Sequence, residues 1–233
     1  MTLKIAHVAL AALMIIILIL FAKKTIDRTF LDKNVRKRKL LLVAGGLLAW
    51  HVYLYLMSIS GILDTLSLPP RFAIFLIVPA FIFTGIFLFK NRNNAWIQNV
   101  PESWLIFYQS FRILVESLFV ASVAEGILHK NVTIEGYNYD MVFGFLAVVI
   151  GFLFIRKMIS KKMIVLWNYL GLLVIAFIIF LFTTTIYTPE IFGPDTLPFP
   201  QEFLQYPYTL VAGFLMPSAV FMHVLSIFHY KDK

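Results

Sequence analysis

Four polar side chains inside one long apolar stretch are the residues best placed to do chemistry: Glu102, Gln109, Arg112 and Glu116. Their separations of seven, three and four residues return to one face of an α-helix. Arg112 and Glu116, four apart, are in range to pair along that helix. Counted from residue 101, Arg112 lies about 16 Å into the stretch at ~1.5 Å per residue. That is close to the middle of a bilayer. A guanidinium facing lipid there costs from about 3 to well above 10 kcal/mol. The polar stripe must therefore face protein or water. Such a stripe is read either as a structural ion pair that orients helices or as a binding or proton-relay site.

Candidate partners lie in other apolar stretches. His51 is also near mid-depth, and Asn168 and His223 lie toward one side. Asn138 and Asp140 stand at the mouth of another stretch, on the opposite side. Joined with Gln109, Arg112 and Glu116, these residues sketch a polar track through a membrane. For each histidine taken alone, a helix–helix hydrogen bond is the favoured reading.

Other chemistries find little support. The chain has no cysteine, which removes disulfides, thiolate nucleophiles and Cys-ligated metal. No HExxH-type spacing points to zinc, and no metal site is expected. A bis-His haem is not expected, because His51 and His223 differ by about 9 Å in depth. Covalent retinal needs a lysine deep in the last stretch, and 206–228 contains none. Ser110, His223 and Glu116 could be arranged as a hydrolytic triad, but no nucleophile elbow accompanies them. No cofactor is therefore expected, and an enzyme is the reading with least support.

The elements that must position these residues are membrane helices. Of the 233 residues, 61% are hydrophobic and 14% charged, against roughly 25% charged in a soluble domain. A soluble fold of this length has too little interior to hide so much apolar surface. Seven stretches are long enough to cross the hydrocarbon: 5–22, 40–63, 72–89, 102–128, 139–155, 163–187 and 206–228. The expected fold is an all-α membrane protein, a seven-transmembrane-helix bundle forming a single membrane domain over 1–233. The first stretch is expected to be retained rather than cleaved as a signal peptide, because no small-residue cleavage site follows it.

Charge gives the orientation. Sixteen of the twenty Lys and Arg fall in 23–39, after the third and fifth stretches, and in the tail. That alternation is the positive-inside pattern and places the N-terminus outside and the C-terminus in the cytoplasm. It also explains the net charge of +8 without nucleic acid as a partner. The other side leans acidic, through Asp64, Glu135, Glu190, Asp195 and Glu202, and carries a proline-rich segment from 188 to 205. That segment is expected to be an ordered cap or a stiff strap. Gly144, Ala147 and Gly151 share a helix face suited to close packing. No internal repeat supports an inverted-repeat transporter.

The runs YQSFRILVE (Tyr108–Glu116), GYNYDMVFG (Gly136–Gly144), WNYLGLL (Trp167–Leu173) and MPSAVFMHVLS (Met216–Ser226) resemble those of a family of bacterial seven-helix integral membrane proteins with no assigned activity. The resemblance implies a bacterial inner membrane. It adds weight to Gln109, Arg112, Glu116, Asn138, Asp140, Asn168 and His223, and it implies no mechanism. Three functions remain open. One is a transporter for a small solute or proton around Arg112. The second is a sensor or accessory subunit, bound to another membrane protein, without turnover. The third is an intramembrane enzyme acting on a lipid. The bilayer is a partner in all three, and a small-molecule or ion ligand in the first.

Overall fold

Helix is the only way an apolar segment can satisfy its backbone in lipid, and the apolar stretches form helices almost throughout. A computed structural model describes residues 2–194 and 196–231. Asp195 and Lys233, part of the charge reading, lie outside the described residues. In chain order the helices are α1 (Thr2–Thr29), α2 (Lys33–Ile59), α3 (Val78–Asn91), the short α4 (Ala95–Gln98), α5 (Glu102–Phe107), α6 (Arg112–Ala124), α7 (Asp140–Ile155), α8 (Lys161–Tyr187) and α9 (Met216–Tyr230). A π-helical turn, Ala73–Ile77, precedes α3, and another, Val211–Leu215, precedes α9. A 3-10 turn, Tyr108–Phe111, joins α5 to α6. Six helical stretches among the described residues are long and apolar enough to cross a membrane.

The basic stretch 23–39 differs from the loop that the charge pattern suggests. Both flanking helices run into it, leaving only three residues between Thr29 and Lys33. Asp32 caps α2, its carboxylate accepting from the N–H groups of Asn34 and Val35. Arg36 folds back to donate to the Phe30 carbonyl at 2.6 Å.

The stretch around 139–155 also differs. α7 has 16 residues, about 24 Å at the helical rise, against roughly 30 Å of hydrocarbon. The segment before it is irregular and folds against α6. Residues 130–138 turn back on themselves, with Tyr137 N–H donating to the Asn131 carbonyl and Asn138 N–H to that of Thr133. This knot reaches Glu116, eight residues or about 12 Å below the end of α6. Within the knot Asn131, Val132, Thr133 and Asn138 are buried, while Lys130, Glu135 and Tyr137 are exposed.

α9 is the hub of the bundle. It packs against α8, α3 and α5, and most of its residues are buried. α2 lies at the periphery and buries only Leu54 and Ser58. Yet α2 holds the two π turns in place. Pro79 and Pro217 lack an N–H, so the carbonyls four residues earlier, Phe75 and Gly213, lose their helical partners. The Tyr53 hydroxyl donates to Phe75 O at 2.8 Å, and Trp50 Nε1 donates to Gly213 O at 2.9 Å. The two rings stack on each other with centroids 5.0 Å apart. Two broken helices are thus stapled by one pair of aromatic residues. Trp50→Phe and Tyr53→Phe are each expected to cost about 1 kcal/mol, read as a lowered midpoint of unfolding in mixed micelles.

Candidate functional site

The 3-10 turn before Arg112 winds more tightly than an α-helix and divides the predicted stripe. Glu102 separates from the others. It meets His229 Nε2 at 3.0 Å at the far end of α9, while His229 Nδ1 lies 2.7 Å from the Ile97 carbonyl. Gln109 donates from Nε2 to the Ala219 carbonyl at 3.1 Å, and Arg112 and Glu116 turn toward α7, α9 and the knot.

Arg112 is 2% exposed. Its Nη1 donates to Asp140 Oδ1 at 2.8 Å and its Nη2 to His223 Nε2 at 3.1 Å. Its guanidinium also lies 4.8 Å from the Phe143 ring centroid, within reach of a cation–π contact. Because Nη2 can only donate, His223 Nε2 accepts, and the imidazole proton belongs on Nδ1. That nitrogen donates to Asn168 Oδ1 at 2.8 Å. Asn168 Nδ2 then donates to the Ile164 carbonyl at 2.7 Å and to Ser226 Oγ at 2.8 Å. Each N–H along this chain has one acceptor, so the chain fixes the imidazole neutral and the guanidinium in one orientation.

Asp140 opens α7, where the N-terminal end of the helix dipole favours a negative charge. Its backbone N–H donates to Asn138 Oδ1 at 3.0 Å. Glu116 does not pair with Arg112 along the helix. Its carboxylate accepts from the Ile134 N–H at 2.5 Å and from Asn138 Nδ2 at 3.3 Å. The reason is geometric: the knot brings a backbone donor to Glu116, while α7 brings a carboxylate to Arg112. In this knot His129 Nδ1 accepts from the Asn131 N–H. Burial, and then the Lys130 charge, push His129 below the usual imidazole range, which suits that acceptor role.

Close backbone approach makes the cluster possible. A Cβ at Gly171 would clash with Cε1 and Nε2 of His223 and stand 2.8 Å from Phe143 Cζ. A Cβ at Gly144 would stand 3.1 Å from Ile113 N and 3.2 Å from Arg112 Cβ, and one at Gly151 would overlap Phe107. The small face of α7 is thus a packing face against the α5–α6 span.

Of the candidate residues, Gln109, Arg112, Glu116, Asn138, Asp140, Asn168 and His223 are gathered in one connected region. His51 is not. Its Nδ1 meets its own Leu47 carbonyl at 2.8 Å and its ring packs edge-on against Phe214. Sequence reasoning missed Phe143, Gly171, Ser226, and the Trp50 and Tyr53 staple. Pro79 and Pro217, standing inside apolar runs, were the available signal for the staple. Among the described residues, no three His, Asp or Glu side chains converge as a metal-binding group.

A cavity of about 120 Å³ meets this cluster. Its inner end carries Arg112, Asn138 and Asp140. Its walls are apolar, including Phe111 and Phe119 of the α5–α6 span, Ile175 and Ile179 of α8, and Leu215. Both π turns line it, through Ala73, Ile77, Val211 and Ala212. Phe199 and Phe203 of the proline-rich segment cover it, packing on Phe182 at 6.0 and 5.7 Å between centroids. Within that segment 3-10 turns form at Pro189–Phe192 and Gln201–Leu204. No family model, curated protein or solved structure matches this chain. The fold is an all-α bundle with six helical stretches long and apolar enough to cross a membrane, and it holds a buried polar cluster beside an apolar cavity.

Proposed function

We propose that this chain is a seven-span protein of the bacterial inner membrane, N-terminus outside, that holds a small molecule in the cleft ending at Arg112 and Asp140. One observation carries the reading: a buried, pre-oriented Arg–Asp pair forms the closed end of an otherwise apolar cavity. A purely structural ion pair needs no cavity beside it. Two of the guanidinium's five N–H groups are engaged by protein acceptors among the described residues. Toward the cytoplasm the polar chain through His223, Asn168 and Ser226 is closed side chain to side chain. This supports a binding site served from one side rather than a hydrated path for an ion. The sixteen basic residues on alternate connections support the orientation, and α7 completed by the knot supports the seventh span.

Native mass spectrometry of the protein released from lipid nanodiscs tests the reading. The wild type is expected to retain a bound small molecule. Ile179→Trp, which fills the cleft from α8, is expected to lose it while keeping the same thermal midpoint. Equal retention by both proteins would overturn the assignment of the cleft. A reporter fused after residue 231 is expected on the cytoplasmic side.

A further inference from the structure

Resting on that reading of the cleft, we infer that its occupant is a lipid-derived amphiphile with an uncharged head group that both donates and accepts hydrogen bonds. It would enter sideways from the bilayer between α8 and the π turn that precedes α3. Three features lead there.

The first is the lining. Beyond Arg112, Asn138 and Asp140, the polar lining side chains are Thr183 and Tyr187, both on α8. Walls of Phe, Ile, Leu and Val give nothing to a hydrophilic solute in exchange for its hydration. They suit a hydrocarbon chain, whose transfer from surrounding acyl chains costs little.

The second is the position of the rim. Ile77 of the π turn before α3, and Ile178 and Ile186 on α8, are half-buried, and Thr183 is exposed, whereas Arg112 and Leu215 are fully covered. The π turn before α3 packs on the π turn before α9, α8 flanks α9, and Phe199 and Phe203 add further apolar lining. The opening therefore faces acyl chains rather than the aqueous phase.

The third is the charge at the inner end. Arg112 and Asp140 form an ion pair at 2.8 Å, and His223 is neutral by its hydrogen bonds. Glu116 lies behind the knot with its carboxylate already bonded to Ile134 and Asn138. A carboxylate or phosphate head would be set against Asp140 and Glu116, and an ammonium head against Arg112. In a low-dielectric site either like-charge contact is costly. A hydroxyl avoids both: it accepts from a free guanidinium N–H and donates to the remaining lone pairs of Asp140.

A photoreactive long-chain primary alcohol, with matched chains ending in a carboxylate or a trimethylammonium, tests this in nanodiscs. The alcohol is expected to label residues 175–186 or 211–219, read by peptide mass spectrometry. Its labelling should exceed that of either charged chain by about tenfold or more, and unlabelled alcohol should compete it away. Ile179→Trp should abolish it. If a charged chain labels the cleft equally or better, and Ile179→Trp still abolishes labelling, the inferred head group is overturned while the cleft stands as a site. If no chain labels the cleft above the Ile179→Trp background, the amphiphile is overturned. If the wild type still retains a small molecule that Ile179→Trp loses, the site itself nevertheless survives.

Discussion

Arg112→Met is expected to destabilise the protein by about 3–5 kcal/mol, the cost of stripping one partner from a buried ion pair. The loss is largely the stranding of what remains. Asp140 keeps a carboxylate with its partner gone, and His223 Nε2 loses its donor. Asp140→Leu alone is expected to be comparably harmful, because it strands a guanidinium that is only 2% exposed. The double variant Arg112→Met/Asp140→Leu should cost far less than the sum of the two, since two apolar side chains of similar volume replace the whole pair. The measurement is a double-mutant cycle on unfolding in mixed micelles, with a coupling of at least about 2 kcal/mol expected. Strictly additive losses would show that the two residues do not interact.

The second large effect is expected at Gly171, where a methyl group alone should cost about 3 kcal/mol from overpacking and broken hydrogen bonds. The Cβ of Gly171→Ala would clash with the Cε1–Nε2 edge of the His223 ring. The ring cannot withdraw without leaving both Arg112 and Asn168. Glycine serves here for close approach and not for a turn. Gly45 in α2 is the control. A Cβ there meets nothing within 4 Å, so Gly45→Ala should leave stability unchanged or raise it by up to about 1 kcal/mol through helix propensity. Combining Gly171→Ala with His223→Ala should relieve most of the crowding. Thermal unfolding of the four proteins reads all of this, and equal behaviour of Gly171→Ala and Gly45→Ala would contradict the packing described.

The membrane class was legible in composition, and the positions of the long helices were legible in apolar run length. Arg112 could be placed inside the protein from the cost of exposing it, and it is buried. Its partner could not be read. Helical spacing favoured Glu116, but Asp140 is 28 residues away on an element whose depth depends on the knot before it. A continuous helix over 102–128 would also have kept Glu102 on the site's face. The 3-10 turn at Tyr108–Phe111 and the end of α6 at Ala124 changed both the rotation and the length. His51 looked suitable by depth, and its rotation about α2 removed it.

What the sequence by itself determined was which segments enter the hydrocarbon and which side chains cannot face it. Those follow from transfer free energies, which each segment carries alone. The tertiary structure alone decided which polar groups meet, where two proline-broken helices find new donors, and that an apolar cleft ends on Arg112 and Asp140. These depend on helix rotation and depth, set by packing between segments far apart in the chain, and no single segment's composition encodes them.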